Sequence, residues 1–195
     1  MQTQTRSMLT ARDVSASSTA VFSTRLGWMA LVMRGNVLQR LSFGHRGADS
    51  AADAVGLEGS DCVMAGNTAI ADLIGRLTRY AAGEFDDFLD VEVDNGHLSP
   101  FAAAVAEAVR RIPFGDTRSY GELAARVGRP RAARAVGGVM AKNRTPLIVP
   151  CHRVLASGGA LGGFSAVDGV RMKRRLLELE ASAAIAGVGV QPFRL

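Results

Sequence analysis

The chain has little cysteine, little histidine and no long apolar run, and each shortage narrows what it can be. It contains two cysteines, Cys62 and Cys151, among 195 residues. Two cysteines are too few for a disulfide framework, which favours a reducing compartment. No apolar run approaches the ~20 residues of a membrane span, and the first twenty residues lack the apolar core of a secretory signal. We therefore expect a cytoplasmic protein with no membrane partner.

Sequence motifs for metals and common cofactors are missing as well. The histidines and cysteines are scattered without the spacing of metal ligands. The glycine-rich segment 158–163 has the wrong spacing for a P-loop or a dinucleotide-binding loop. We therefore expect no cofactor and assign no metal ligands, while a structural metal stays open.

Charge is divided unevenly along the chain. Residues 1–99 carry 8 arginines, no lysine and 12 acidic residues, a net charge of −4, whereas residues 100–195 carry a net charge of +9. A strongly basic half indicates contact with a polyanion such as nucleic acid. A solvated basic face without a partner is the alternative, and charge alone does not decide between them.

After a flexible tail over 1–19, residues 20–96 are predicted to form an α/β domain. Short β-like runs over 20–26, 28–33 and 37–43 include a hairpin signal at Arg34-Gly35-Asn36. Apolar residues at helical spacing predict a helix over 67–82. A further strand is expected over 88–93, and the turn 94–96 marks the domain boundary.

Residues 97–182 are predicted to form a mainly helical domain, followed by a tail over 183–195. Ser99 followed by proline begins one helix, and Ser119 with Glu122 forms a capping box that begins another. A tight turn then leads to a third helix, expected over 130–143, and a last helix is expected over 168–182. Two short helices joined by a tight turn are typical of a helix-turn-helix. The pair Gly137-Gly138 weakens the second of them, which indicates close packing or the close approach of a partner.

The segment Pro150-Cys151-His152-Arg153-Val154 carries the clearest chemical signal. It follows the apolar run 147–149, which we interpret as a buried strand. A thiolate near positive charge or a base is a nucleophile, although a lone cysteine is more often a small buried hydrophobe. Adjacent residues of a strand point to opposite faces, so either the chain bends here or a water bridges Cys151 and His152. A third group, from elsewhere in the chain, must orient the imidazole.

Together these features resemble the O6-alkylguanine-DNA alkyltransferases, also called methylated-DNA–protein-cysteine methyltransferases. The resemblance runs with the family's spacing through most of the second half of the chain. It is carried by Phe101, Ile112-Pro113-Phe114-Gly115, Ser119-Tyr120, residues 132–138, Asn143, the segment 150–154, Leu176-Leu177 and Glu180. It implies an α/β fold, with a ribonuclease-H-like N-terminal antiparallel sheet plus helix and a winged-helix-like C-terminal domain.

The resemblance implies direct reversal of DNA alkylation in a single turnover that consumes the protein. Cys151 would take the alkyl group from guanine O6, with thymine O4 left open. His152 would act as its base through a bridging water, and Glu180 would orient the imidazole. Asn143 would brace the turn that holds the active-site strand, and Tyr120 would donate a proton to the guanine.

The implied partner is double-stranded DNA containing O6-alkylguanine, bound through the minor groove by a monomer, with cooperative binding left open. Arg134 would fill the gap left by a flipped nucleotide, because the reacting base must leave the stack. Tyr120 is also assigned to DNA binding. The remaining residues are assigned to DNA binding (Ala132, Ala133 and Arg153) or to the substrate pocket (Met140, Val154, Phe164, Ser165 and Lys173). Phe164 stands where many family members have tyrosine, which leaves the range of alkyl groups open.

Two hypotheses from other classes remain at this point. The chain is compatible with a helix-turn-helix regulator without activity, although such proteins usually carry polar residues where Ala132 and Ala133 stand. A non-catalytic damage sensor is the other hypothesis, and a reactive Cys151 would exclude it.

Overall fold

The computed structural model describes residues 17–57 and 68–185, and Cys62 lies outside these ranges. The chain begins with three antiparallel strands in the order β1-β2-β3, namely β1 (Ser17–Thr24), β2 (Gly27–Arg34) and β3 (Val37–His45). The predicted hairpin is confirmed, since Arg34 pairs with Val37. Gly35 has a φ of 57°, a left-handed conformation that glycine adopts without strain.

Two helices pack on this sheet. Helix α2 (Thr68–Ala81) follows the predicted spacing and buries Ile70, Leu73, Leu77 and Tyr80. Helix α1 (Ala48–Ala54) was not predicted, because its short, alanine-rich sequence buries only Ala51 and shows no apolar stripe.

The strand predicted over 88–93 is wrong. Phe88 has a φ of 51°, and the segment makes only an isolated bridge between Val93 and Leu38. Three of its carbonyl groups bind a side chain, since Arg110 Nη2 donates to Phe88 O, Leu89 O and Val91 O at 2.9, 3.1 and 2.8 Å. The guanidinium thereby fastens this segment to the helix that follows. Only the end of the segment reaches β3, where Leu38 N donates to Glu92 O at 2.9 Å.

The second half contains the predicted helix-turn-helix. Helix α3 (Pro100–Arg110) precedes the short strand β4 (Arg118–Ser119), helix α4 (Tyr120–Arg126) and helix α5 (Ala133–Ala141). The capping box of Ser119 and Glu122 is confirmed. Helix α5 begins later than expected because Ala132 N donates to Arg129 O at 2.8 Å, which makes residues 129–132 a turn.

A 3-10 turn (Cys151–Arg153) follows, then strand β5 (Val154–Leu155), a second 3-10 turn (Ser157–Gly159) and helix α6 (Val170–Ile185). Strand β5 pairs in parallel with β4, so the segment after Cys151 is tied to the start of the helix-turn-helix. The buried strand expected over 147–149 is wrong. Leu147 has a φ of 72°, which no β-strand adopts, and the run forms a buried turn.

The largest core cluster joins both predicted domains. It combines side chains of the sheet and α2, such as Phe43 and Leu77, with Phe114, Ile148 and Leu176 of the second half. A second cluster lies within the helical half and includes Leu123, Val136 and Cys151. The fold is therefore α/β, and the boundary at 96/97 stays a prediction. Within residues 17–57 and 68–185, no helix has the length and apolar character needed to span a membrane.

Candidate active site

Cys151 directly follows a bend of the backbone at Pro150. Pro150 has φ −77° and ψ 66°, and Cys151 N donates to Val149 O at 2.7 Å. The chain turns here as a 3-10 helix, so the alternation of an extended strand does not apply. The thiol is 5% exposed and packs within the helical core cluster.

Asn143 holds the thiol and the turn together. Its Nδ2 donates to Cys151 Sγ at 3.3 Å and to Val149 O at 2.8 Å, while its Oδ1 accepts from Thr145 N at 3.1 Å. The resemblance implied the bracing of the turn, and the structure adds a direct contact with the sulfur.

The thiol is protonated at rest. Burial raises the pKa of Cys151 above its ordinary value, while the hydrogen bond from Asn143 and the charge of Lys173 lower it without cancelling the effect of burial. Because the thiolate is the nucleophilic form, the site needs a base that takes the proton when substrate is bound.

His152 supplies a nitrogen suited to that task. It is 1% exposed, and its Nε2 lies 2.8 Å from Glu180 Oε1. A carboxylate accepts hydrogen bonds, so Nε2 carries the proton and Nδ1 has the free lone pair. Nδ1 is buried and has no hydrogen-bond partner among the described protein atoms. Burial lowers the pKa of His152 despite the opposing charge of Glu180, so the imidazole is neutral at pH 7.

Glu180 is the carboxylate that binds both His152 and Arg153. It lies on α6, is fully buried, and accepts from Arg153 Nη2 at 2.8 Å and from Gly115 N at 3.0 Å in addition to His152. Burial alone raises its pKa, but His152 and Arg153 outweigh burial and hold the pKa of Glu180 well below its usual range. The third group expected for the imidazole is therefore an ionised carboxylate.

Arg153, which the resemblance assigns to DNA binding, has a side chain that faces the interior of the protein. Its side chain is 2% exposed, pairs with Glu180, and donates from Nη1 to Ile112 O at 2.7 Å. The guanidinium also lies 5.6 Å from the centre of the Phe114 ring. Every one of these contacts faces the interior, so Arg153 neutralises Glu180 instead of a phosphate.

A cavity of about 380 Å³ opens beside the thiol. Its lining contains Cys151 together with the predicted pocket residues Met140, Phe164 and Ser165, and with Tyr120. A second cavity of about 310 Å³ reaches Cys151 from the side of β3 and includes Phe43 and Arg144. Val154, also assigned to the pocket, has a fully buried side chain, and its contact with the site runs through its carbonyl group.

That carbonyl holds Lys173. Lys173 Nζ donates to Val154 O at 2.6 Å and to Gly163 O at 3.5 Å, and it lies 5.9 Å from the centre of the Tyr120 ring. Burial lowers the pKa of Lys173, and the charge of a Cys151 thiolate opposes that shift. Lys173 thus binds backbone carbonyl groups next to the pocket, and it is not among the residues that line the cavity of about 380 Å³.

Tyr120 forms the opposite wall of the cavity. It is the first residue of α4 and is half-buried. A Cβ at Gly162 would lie in ordinary van der Waals contact with Tyr120, 3.6 Å from its hydroxyl and 3.4 Å from its ring. The φ of 66° at this position, a left-handed conformation, is what favours glycine there. Burial, and then the charge of a Cys151 thiolate, raise the pKa of Tyr120. The phenol therefore keeps its proton when the thiolate forms.

Helix α5 presents small residues and one cation at its start. Ala132 is the N-cap and has no capping side chain, Ala133 is the first helical residue, and the Arg134 side chain is exposed. A Cβ at Gly137 would meet Tyr120 at 3.9 Å, whereas one at Gly138 would meet nothing within 4 Å. Close packing therefore explains neither glycine fully, and Gly138 faces open space.

Tyr80 is a residue of this site that sequence reasoning did not assign. It appeared only as one position of the apolar stripe of α2, yet its hydroxyl lies 2.5 Å from Glu180 Oε1 and 3.4 Å from His152 Nε2. The available signal was chemical, because a buried tyrosine needs a partner for its hydroxyl.

The chain matches known proteins along most of its length. Residues 100–182 match the family model described as the DNA-binding domain of 6-O-methylguanine DNA methyltransferase. A methylated-DNA–protein-cysteine methyltransferase of Mycobacterium bovis is 46% identical over 118 residues, which are 60% of this chain and 69% of that protein. The counterpart described as constitutive in Bacillus subtilis is 40% identical over 111 residues, which are 57% of this chain and 66% of that protein.

Solved structures extend the similarity to the N-terminal half. Mycobacterium tuberculosis OGT, crystallised in complex with DNA, has a TM-score of 0.65 at 34% identity and covers 85% of this chain and 94% of its own. The O6-methylguanine-DNA methyltransferase of Pyrococcus kodakaraensis has a TM-score of 0.60 at 26% identity and covers 85% of this chain and 99% of its own. With its buried Cys-His-Glu arrangement beside a cavity and a helix-turn-helix, the chain belongs to the methylated-DNA–protein-cysteine methyltransferase family.

Proposed function

We propose that this protein repairs DNA by transferring the alkyl group of O6-alkylguanine to Cys151 Sγ, in one irreversible turnover. The observation that carries the proposal is the position of the thiol, which contacts Asn143 and lines a cavity together with Tyr120. The product is a thioether, which no residue assigned to the site is placed to cleave. Each molecule therefore reacts once.

The thiol proton travels to His152. Nδ1 is the basic nitrogen and is buried with no hydrogen-bond partner among the described residues, which suits a bridging water between it and the thiol. When Nδ1 accepts the proton, the imidazolium lies 2.8 Å from the ionised Glu180. Glu180 thus stabilises the charge that forms on His152 without taking the proton itself.

Alkyl transfer is a displacement at the alkyl carbon. The carbon–sulfur bond forms as the carbon–O6 bond breaks, and the electron pair of that bond passes into the purine. Tyr120 donates a proton to the guanine as it leaves, which balances the proton taken up by His152. The second cavity at Cys151, of about 310 Å³, gives room for alkyl groups larger than methyl.

DNA binding is assigned to helix α5. The reacting atom of guanine is inaccessible in a duplex, so the nucleotide must be flipped into the cavity beside Cys151. Arg134 is exposed at the start of α5 and would fill the gap in the stack. The small side chains of Ala132 and Ala133 and the open side of Gly138 suit a helix lying in the minor groove. We propose that a monomer binds in this way, with cooperativity along DNA as a separate question.

Two finer points complete the proposal. The three antiparallel strands with α2 fit a ribonuclease-H-like N-terminal domain over 20–96, and the helices of 97–182 fit a winged-helix-like domain. A buried free thiol at Cys151 must stay reduced to react, which suits the cytoplasm.

Intact mass spectrometry after incubation with duplex DNA containing O6-methylguanine tests the function. We expect a mass increase of one methyl group per molecule, located on Cys151 by peptide mapping. Cys62→Ser is the matched control and should react normally, whereas Cys151→Ser should not react. DNA binding without a change in mass would indicate a sensor or a regulator instead, and multiple turnovers on excess substrate would contradict the single-turnover reaction.

A further inference from the structure

A buried hydroxyl from the N-terminal half enters the active site. Tyr80 lies on α2 and is fully buried, and its Oη lies 2.5 Å from Glu180 Oε1 and 3.4 Å from His152 Nε2. Helix α2 belongs to the part of the chain that carries neither the nucleophile nor the helix-turn-helix. The carboxylate that orients the base is therefore held from two sides, by Arg153 and by Tyr80.

Aromatic neighbours fix the ring of Tyr80. Its ring centre lies 5.6 Å from that of Phe88 and 6.0 Å from that of Phe114, the latter at an interplanar angle of 90°. A phenylalanine would fill this space equally well, so packing does not account for the hydroxyl. Burial, followed by the charge of Glu180, raises the pKa of Tyr80 well above its ordinary value. The hydroxyl therefore keeps its proton and donates it in a hydrogen bond to the carboxylate.

We propose that Tyr80 is a positioning residue for alkyl transfer, whose hydroxyl holds Glu180 Oε1 where it accepts the Nε2 proton of His152 and so keeps Nδ1 as the basic nitrogen. The inference rests on the proposed function of Cys151 and His152. It also makes the N-terminal half a contributor to the catalytic geometry, in addition to its role in the shared core.

The hydroxyl also limits how strongly Glu180 attracts the imidazole proton. Among the described residues, the charged or titratable groups that act on His152 are Glu180 and Lys173 of α6, Arg153 of the 3-10 turn, and Tyr80 of α2. Arg153 and Lys173 disfavour the imidazolium, whereas Glu180 favours it. A hydrogen bond from Tyr80 withdraws negative charge from Oε1, the same atom that binds His152. Without it, the carboxylate stabilises the imidazolium more strongly and His152 becomes harder to deprotonate at neutral pH.

The test is the single-turnover pH–rate profile of Tyr80→Phe on duplex DNA containing O6-methylguanine. The acid limb of the profile should move to higher pH by on the order of half a unit, because His152 gains basicity. The plateau rate should fall several-fold, which is the size of effect expected when about one hydrogen bond is lost. Leu77→Ala is the matched control, since it removes a buried side chain one turn earlier on α2 and lowers stability without touching Glu180.

A second readout does not depend on activity. Nitrogen NMR of the imidazole should show the Nε2-protonated tautomer of His152 in the wild type and a mixture of tautomers or a raised pKa in Tyr80→Phe. An unchanged profile and an unchanged tautomer in Tyr80→Phe would overturn the inference, as would an equal shift of the acid limb in Leu77→Ala. A wild type that never alkylates Cys151 would overturn the proposed function instead, and the NMR result would then decide the positioning role by itself.

Discussion

Replacing Glu180 by glutamine should lower the stability of the folded protein as well as the rate of alkyl transfer. The carboxylate accepts from Tyr80, His152 and Arg153 at Oε1, and from Arg153 and Gly115 at Oε2. An amide has one acceptor oxygen, so its NH₂ group must face donors on one side or the other. The backbone N–H of Gly115 cannot rotate away, and the buried guanidinium of Arg153 loses its counter-charge.

The magnitude follows from the burial of both partners. Arg153 is 2% exposed and Glu180 is fully buried, so water does not compensate for the lost charge. Removing one partner of such a pair costs about 3–5 kcal/mol of unfolding free energy. That loss is a large share of the total free energy of unfolding, which is about 5–15 kcal/mol for a typical folded domain.

Urea denaturation followed by the fluorescence of Trp28 measures the effect. Glu178→Gln is the matched control, because Glu178 lies exposed on the same helix two residues earlier, and it should change the unfolding free energy by less than about 0.5 kcal/mol. The pKa of Glu180 is lowered in the folded state, so its contribution is present above the ordinary value of 4.5 and lost as the pH falls further. The difference between wild type and Glu180→Gln should therefore narrow in acid. A stability equal to that of Glu178→Gln at neutral pH would refute this account of the ion pair.

Four further outcomes are expected. Arg134→Ala should slow repair of duplex DNA far more than reaction with free O6-methylguanine, because a free base needs no extrusion, and equal losses would rule out the stacking role. The logarithm of the DNA association constant should fall with the logarithm of salt concentration by about 0.9 per neutralised phosphate, and a flat response would exclude the basic half as the binding surface. Asn143→Ala should raise the pKa of Cys151, since its hydrogen bond lowers that pKa, and iodoacetamide should then alkylate the thiol more slowly at pH 7 but not at high pH. Burial lowers the pKa of His152 below 6.5, so the unfolding free energy should fall as the pH drops below 6.5, by up to about 1.4 kcal/mol per pH unit, and less steeply in His152→Gln.

Features set by neighbouring residues could be predicted from the sequence. The capping box at Ser119, the stripe of α2 and the hairpin at Gly35 depend on short spacings, and so they can be read before any tertiary contact is known. The helix-turn-helix and the nucleophile followed from local motifs together with the family resemblance. Helix α1 was not predicted because it is short and buries only one of its side chains, Ala51.

Features set by distant residues could not be predicted in the same way. The segment at Phe88 is extended by composition, but Arg110 binds its carbonyl groups from the next helix. Arg153 looks like a phosphate ligand beside Cys151, and only the position of α6 reveals that Glu180 pairs with it. Tyr80 and Glu180 are 100 residues apart, and no spacing within either helix indicates that they meet.

The elements assigned to DNA binding lie within a few residues of the groups that contact Cys151 or line its cavity. Helix α5, assigned to DNA, ends at Ala141, and Asn143 two residues later donates to the Cys151 sulfur. On the other side, β5 follows the Cys151 turn and pairs with β4, directly before Tyr120. The thiol and Tyr120, the proposed proton donor, are thus attached to the two helices of the helix-turn-helix. Tyr120, Cys151 and side chains of both helices pack in one core cluster. Because packed interiors are hardly compressible, the distance between Cys151 and Tyr120, and with it the width of the cavity, is set by the fold. We therefore expect the cavity to be formed before DNA binds, so that placing the helix-turn-helix on DNA brings Cys151 and Tyr120 to the flipped base at a fixed separation.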